Sequence, residues 1–450
     1  MAKVKSSFVC SSCGAQFASW SGKCGVCGEW NTLEQAIVQQ IGKVQQAISS
    51  GTALKPQRLV LIDAKNNKTN RISAGILDID AVLGGGIVPA SVMLLAGQPG
   101  IGKSTLILQI AMSISKGNSV LYISGEESIE QVSLRSMRID KGSTQMSLVT
   151  SSSANDIATT IAQNTYDVVI VDSIQTVATS EIAGVPGSVS QVTNSAQLIT
   201  NAAKSTKTAV ILVGHVTKEG SIAGPKVLEH LVDVVLQLEG DRYGDFRVLR
   251  AIKNRYGSTN EAALLEMHGS GLKIVENPSA VLLEERQVSD GSVVTATLEG
   301  TRPVLVEVQA LVNNTSFGYP KRAASGFDLS RLNLLVAMLE RRTKLSLSDK
   351  DIYINVVGGI KLTEPAADLA VCMAIASAAK HIPLAVDAVC FGEVGLSGEI
   401  RHIPWIDKRV SEAIKMGFKR VIGPKPPANL KNKEVYLISN NLKNTLNSAL

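Results

Sequence analysis

The spacing of apolar positions changes along this chain. Between residues 91 and 215, four short runs (SVMLLAG, SVLYISG, YDVVIVDS and TAVILVGH) are apolar at nearly every position and end on Gly or a polar residue. Strands buried on both faces of a parallel sheet read this way, because neither face meets water. Amphipathic segments separate the runs, which predicts an α/β domain. DVVLQLEG and FRVLRAIKNRYG, joined by the turn-forming GDRYGD, predict an antiparallel pair. Near residue 278 the pattern restarts. SVVTATLEGTRPVLVEVQALVN alternates as strands do, SRLNLLVAMLERRTK and AADLAVCMAIASAAK read as helices, and DIYINVVGG and DAVCFGEVGLSG as strands. The polar stretch EQAIVQQIGKVQQAISSGTALKPQ reads as a linker, in part helical. The predicted plan is a small module over 1–32, a linker over 33–55, an α/β domain over 56–270 and an α+β domain over 278–450.

Composition adds limits. Of 450 residues 45% are hydrophobic and only 4% aromatic, so the cores must be aliphatic. A net charge of +6 is compatible with a nucleic-acid partner without establishing one. Residues 41–72 carry six Lys/Arg and one acid, Asp63. That tilt reads as a solvated linker, with a nucleic-acid-facing arm as the alternative. The opening MAKVKSSFVC lacks the apolar stretch of a signal peptide, and no run of about 18 apolar residues occurs. The expectation is a cytoplasmic protein with reduced thiols and no membrane partner. Cys372 and Cys390, in apolar surroundings, read as core residues.

The other four cysteines read Cys10-x2-Cys13, ten residues, Cys24-x2-Cys27. Each Cys-x-x-Cys lets two thiolates of one tight turn reach one ion, and two such turns complete a tetrahedral all-sulfur site. A structural Zn²⁺ is expected, since no coordination position remains for catalysis, and folding of so small a module should draw on the metal. Trp20 and Trp30 are expected beside it.

GQPGIGKST (Gly97, Gln98, Pro99, Gly100, Ile101, Gly102, Lys103, Ser104, Thr105) follows a predicted strand and precedes a predicted helix, the context of a P-loop for ATP. Its glycines let backbone N–H groups converge on phosphate, Lys103 is placed for the β/γ-phosphates, and Ser104 for Mg²⁺. Asp172 closes the run VVIVD and is the second candidate for Mg²⁺. Glu126, or else Glu127, follows the strand of SVLYIS and could orient the attacking water. His215, at the end of AVILVGH, is either a phosphate sensor or a structural histidine. Lys253 and Arg255 alternate at a strand end closed by Gly257, a placement that asks for an anionic partner or for solvent.

RISAGILDIDAVLGGGIVPASVMLLAGQPGIGKST resembles the entry to a RecA-type ATPase core. Together with CSSCG…WSGKCGVCGEWNT, KNRYG and GGIKLTEPAADLA…FGEVGLSGEIRHIP, the chain resembles the bacterial RadA (Sms) DNA repair family over nearly its whole length. Tyr256 stands where that family's K-N-R-F-G has Phe. The resemblance implies a zinc ribbon, a RecA-like core and a Lon protease-like C-terminal domain. It further implies a DNA-dependent ATPase forming a ring, likened to hexameric DnaB-type helicases, that binds single-stranded and branched DNA, drives branch migration, and works with recombinase or replication proteins. In such a ring, Lys253 and Arg255 would meet the γ-phosphate bound by the neighbouring subunit. ATSEIAGVPGSVSQ and TKEGSIAGPKVLEH would face DNA, with Lys218 and Lys226 near phosphates; neither contains an aromatic residue for base stacking. In the Lon-like block the serine motif P-S-A-G becomes Pro365, Ala366, Ala367, Asp368. The dyad lysine aligns with Asp407, one residue from Lys408. Without a hydroxyl at Ala366 the protease chemistry is lost, leaving ring assembly and a basic face: Lys321, Arg322, Arg341, Arg342, Lys344, Lys408 and Arg409. The rival readings are a nucleotide-binding regulator assembling on protein partners and an active ATP-dependent protease.

Overall fold

The computed structural model describes residues 7–11, 15–17, 19–36, 71–140, 145–215, 226–240, 246–316 and 318–450. The chain forms two compact units, Met1–Asn67 and Lys68–Leu450. No helix among the described residues is long and apolar enough to cross a membrane.

The first unit holds a three-stranded antiparallel sheet, β1 (Ser7–Cys10), β2 (Gln16–Phe17) and β3 (Leu33–Ala36), in the order β2-β1-β3. β3 carries the module past residue 32. Its core is small: Cys10, Cys24 and Leu33, with Phe8 and Phe17 packed on them. The tryptophans, expected beside the metal, stay outside this core. Trp20 is 58% and Trp30 68% exposed; Trp30 bridges Lys23, whose ammonium lies 5.6 Å from its ring centre. Two phenylalanines fill the little space available, and the larger indoles remain on the outside of the turn at Gly22.

The second unit carries two large sheets. The first has nine strands: β4 (Val92–Gly97), β5 (Val120–Ser124), β6 (Ser147–Thr150), β7 (Val168–Asp172), β8 (Ala209–His215), β9 (Val234–Glu239), β10 (Phe246–Asn254), β11 (Ala262–His268) and β12 (Gly271–Ile274). Their order is β12-β11-β10-β9-β4-β8-β7-β5-β6. Strands β4 to β9 run parallel to one another, and β10, β11 and β12 add an antiparallel run beyond β9. Helices cover both faces: α1 (Leu77–Val82), α2 (Lys103–Ile114) and α3 (Ile129–Ile139) on one, α4 (Ala154–Gln163), α5 (Val189–Thr206) and α6 (Lys226–Leu231) on the other. Along β4, Met93 and Leu95 enter the first core while Val92, Leu94 and Ala96 enter the second. This is why the strand is apolar at every position. α3 begins on a capping box between Ser128 and Gln131, which satisfies two otherwise unpaired amides.

After α7 (Pro278–Leu283) comes a seven-stranded mixed sheet: β13 (Ser292–Glu299), β14 (Arg302–Asn314), β15 (Arg322–Ser325), β16 (Lys350–Val356), β17 (Ala388–Cys390), β20 (Arg420–Gly423) and β21 (Tyr436–Ile438). Their order is β15-β16-β14-β13-β17-β20-β21. α8 (Leu329–Thr343), α9 (Asp368–Lys380) and α11 (Leu442–Ala449) pack on one face, and α10 (Ile406–Lys415) on the other. DAVCFGEVGLSG is not one strand. β17 stops at Cys390, and β18 (Glu393–Val394) leaves the sheet to pair with β19 (Ile400–Arg401). The break falls at Gly392, where a Cβ would stand 2.8 Å from the Ile400 side chain. Cys372 and Cys390 are buried core residues, and burial pushes the Cys390 thiol up to about 12.

Candidate ATPase and metal sites

The P-loop joins β4 to α2, and its backbone is shaped by what surrounds it. Gly100 and Gly102 have φ of +79° and +110°, a region that favours glycine. A Cβ on Gly97 would meet the Leu238 carbonyl oxygen at 2.6 Å, and one on Gly102 the Met267 methyl at 2.6 Å. Ser104 and Thr105 follow Lys103 in the first turn of α2, which contains no acidic residue. The amides there and the helix dipole favour an anion. Lys103 is buried, and its Nζ donates to the carbonyl oxygens of Gly97 and Gln98, both at 2.9 Å. Burial pushes this ammonium down to about 8, with Asp172 and Glu126 pulling the other way.

The carboxyl ends of β5, β7 and β8 bring the other groups to Lys103. In the sheet register Ser124 is opposite Asp172, and Asp172 opposite Val213. The Tyr122 hydroxyl donates to Asp172 Oδ2 at 2.6 Å; burial first, then the Asp172 charge, raises the tyrosine's pKa. Ser173 Oγ donates to Glu126 Oε1 at 2.5 Å, and His215 Nε2 lies 3.8 Å from the same oxygen. Burial, then the Lys103 charge, holds His215 below the usual histidine range. The structure separates the two glutamates. Glu127 is paired with Arg135 of α3 and its backbone is tied to Ser124, whereas Glu126 faces Ser173, His215 and Lys103.

Lys253 and Arg255 stand at the end of β10, two strands over from β4. Their partners lie within the chain, which the sequence did not reveal. Lys253 Nζ donates to the carbonyl oxygens of Glu229 (2.6 Å) and Val232 (2.9 Å) at the end of α6, as cations do at helix C-termini. Arg255 Nη1 donates at 3.0 Å to Asp233, a buried carboxylate whose other oxygen accepts the Val92 amide. The Arg255 side chain is about half exposed. Gly257 has a separate reason: a Cβ there would lie 2.8 Å from the Cα of Gly84, so the KNRYG and LGGG turns meet glycine to glycine.

Three contributors were not visible as motifs: Tyr122, Ser173 and a cleft of about 170 Å³ next to Thr105. Arg135, Arg138, Met267, His268 and Gly271 line that cleft. They come from α3 and the facing ends of β11 and β12, and only the closed sheet unites them.

In the first unit the Sγ atoms of Cys10, Cys24 and Cys27 lie within 4.8 Å of one another, with Cys10 and Cys27 at 3.7 Å. A tetrahedron with Zn–S bonds of about 2.3 Å has sulfur–sulfur edges of about 3.8 Å, so these three thiols fit Zn²⁺. Cys13 lies outside the described residues. Of the two loops expected to face DNA, the first is pinned at its base. Gln191, buried in α5, exchanges bonds with the Thr179 backbone and donates to the Ile182 carbonyl oxygen at 2.9 Å. In the second, residues 216–225, with Lys218, lie outside the described residues, and Lys226 opens α6.

Residues 61–221 match the family model "AAA domain", residues 8–35 "Rubredoxin metal binding domain", and residues 332–426 "Subunit ChlI of Mg-chelatase". The DNA repair protein RadA of Bacillus subtilis is 48% identical over 94% of this chain and 93% of its own length. That of Haemophilus influenzae is 43% identical over 97% of both, and that of Streptococcus pyogenes serotype M6 45% identical over 94% of both. The chain belongs to the RadA family.

Within the ChlI-like part of this RadA-family chain, Ala366 stands at the position that the resemblance to Lon aligns with its serine. Ala366 lies buried in a 3-10 turn over Pro365–Ala367, and Asp368 beyond it is buried against Arg331. A cleft of about 490 Å³ beside them is lined by Phe327, Arg331, Lys361, Glu364 and Pro365. Arg409 is not part of a basic face. It is fully buried, donating to Glu364 at 2.6 and 2.8 Å and to the Ala296 carbonyl oxygen. Lys408 donates to the Thr301 carbonyl oxygen at 3.2 Å and lies 4.4 Å from the Trp405 ring centre. Arg322 bonds Asn333, and Arg342 bonds the Leu396 carbonyl oxygen. Lys321, Arg341 and Lys344 are exposed.

Proposed function

We propose that this chain is a DNA-dependent ATPase of recombination and repair that assembles as a ring, binds single-stranded DNA and drives branch migration. The observation that carries the reading is the convergence of Lys103, Asp172, Glu126 and His215 at the carboxyl ends of adjacent parallel strands. Ligands of open α/β sheets bind at that edge. The P-loop amides and Lys103 hold the β/γ-phosphates of ATP, and the cleft beside Thr105 receives the nucleoside. Ser104 and Asp172 are the residues to hold Mg²⁺, which supplies neutralisation of developing phosphate charge. Glu126, steered by Ser173, orients the attacking water and takes its proton; His215 bonds on the same side and reads the phosphate. In a ring, Lys253 and Arg255 act on a neighbour's nucleotide, and the loops after β7 and β8 contact DNA. Zn²⁺ is held by Cys10, Cys13, Cys24 and Cys27 as a structural ion. No peptide-bond hydrolysis is expected, because a buried methyl at Ala366 cannot attack a carbonyl.

The test is ATP hydrolysis with and without single-stranded DNA, at two salt concentrations. Stimulation by DNA, with affinity falling linearly in log–log salt, is expected from phosphate contacts. Hydrolysis indifferent to DNA, or a flat salt response, would overturn the reading.

A further inference from the structure

The turn between β13 and β14 presses the second large sheet against the first. A Cβ on Gly300 (φ +68°) would lie 2.2 Å from the Asn260 carbonyl oxygen. Thr301 Oγ1 donates to the Glu261 carboxylate at 3.0 Å, and Arg302 bonds the Glu276 carbonyl oxygen. At the centre Arg250 of β10 pairs with Glu299 of β13, whose side chain is only 6% exposed. Arg250 comes shortly before Lys253 in the same strand, and a register shift lies between Ala251 and Lys253. A bulge bends the strand and re-aims the side chains beyond it, so the anchoring of β10 just before it bears on where Lys253 and Arg255 point, although Lys253 and Asn254 stay paired with β9. The grip continues into the second sheet. Glu364, which holds Arg409, accepts the Leu298 amide at 2.9 Å and the Thr297 hydroxyl at 2.8 Å, next to Glu299 in the strand.

We propose that Glu299 is a positioning residue for ATP hydrolysis: by holding Arg250 it fixes β10 ahead of its bulge, and so lets the C-terminal domain set the place of Lys253 and Arg255. This rests on the reading that those two cations act on nucleotide. The groups that act on Glu299 are Arg250 from β10, Glu239 from the end of β9 and Glu364 from the turn before α9. Burial is the largest influence and pushes its carboxyl up to about 7; Glu239 and Glu364 push the same way, and Arg250 opposes them. The pair is therefore doubly charged above about pH 7 and loses its anion below.

The experiment measures kcat and KM for ATP in the full chain across about pH 6 to about pH 8.5. The chain is compared with Glu299→Gln, Arg250→Gln, Arg250→Lys and Lys253→Ala. The unaltered chain should gain kcat as pH rises through about 7. Glu299→Gln should flatten that rise and lower kcat by about tenfold to a hundredfold at the alkaline end, with KM little changed, as for a misplaced catalytic group. Arg250→Lys, which keeps a cation, should regain part of the rise. If Glu299→Gln does not fold, Arg250→Gln carries the same expectation. An unchanged profile in these variants, or a loss of equal size at every pH, would overturn the positioning role. Should Lys253→Ala keep normal turnover, the reading of the cations fails instead; if it is inactive while the Glu299→Gln profile is unchanged, only the positioning role fails.

Discussion

Lys253 has two possible uses, and Lys253→Ala separates them by magnitude. Within the chain its ammonium donates to two carbonyl oxygens at the end of α6. Charge-assisted bonds are worth about 1.5–3 kcal/mol each at most, and water can replace the ammonium at a half-buried site. A loss of about 2 kcal/mol is expected, which lowers the melting temperature of a domain of this size by about 4–8 °C. A cation acting on the transferred phosphoryl group is worth about 10³–10⁵ in rate, or about 4–7 kcal/mol, and acts mainly in the transition state. Lys253→Ala should thus melt a few degrees lower, bind ATP almost normally through Gly97–Ser104, and hydrolyse it at least about a thousandfold more slowly. Melting, equilibrium nucleotide binding and single-turnover hydrolysis measure the three effects. Lys103→Ala, by contrast, should lose nucleotide binding itself. Mixing the two inactive proteins places intact P-loops against intact Lys253 residues at some interfaces, so part of the single-turnover activity should return. A variant that melts lower yet hydrolyses within about tenfold of normal, or a mixture shown to co-assemble that never regains turnover, would refute the trans-acting role. Lys253 would then be a helix cap.

Five further outcomes follow from the geometry. Glu126→Gln should abolish turnover with binding intact, whereas Glu127→Gln should mainly loosen α3 through Arg135; equal losses in steady-state assays would contradict the separation of the two glutamates. The Lys103 ammonium, lowered to about 8 by burial, leaves the unfolded chain binding more protons above that value, so the nucleotide-free protein should gain stability from about pH 8 to 10.5. Phosphate binding should restore the charge, and calorimetry in buffers of different ionisation enthalpy should record proton uptake near pH 8 to 9. Arg409→Met should cost about 3 kcal/mol in denaturant unfolding, because it strands Glu364, and should leave the salt dependence of DNA binding unchanged. Cys24→Ser should release zinc and unfold the ribbon with the ATPase core still melting normally; full zinc occupancy by metal analysis would contradict the four-cysteine assignment.

What the sequence determined by itself is what local pattern and spacing encode. Runs apolar at every position required strands buried on both faces, and β4, β5, β7 and β8 are such strands. The P-loop and the paired cysteines carry their chemistry in short spacings, because a tight turn brings near neighbours together whatever the rest of the chain does. The tertiary structure decided whatever depends on partners distant in sequence. It turned Glu126 toward Ser173 and His215 while Arg135 took Glu127. It buried Arg409, one of seven cations assigned alike to a basic face, because Glu364 and Ala296 converge on it from two other elements. It left the tryptophans of the ribbon outside a core too small to hold them. Lys253, Arg255 and Gly257 look like one motif, yet the fold gives them three partners: the end of α6, Asp233 and Gly84. A residue's type sets what it can bond, but burial and partner are properties of the space around it, and that space exists only once the sheets have closed.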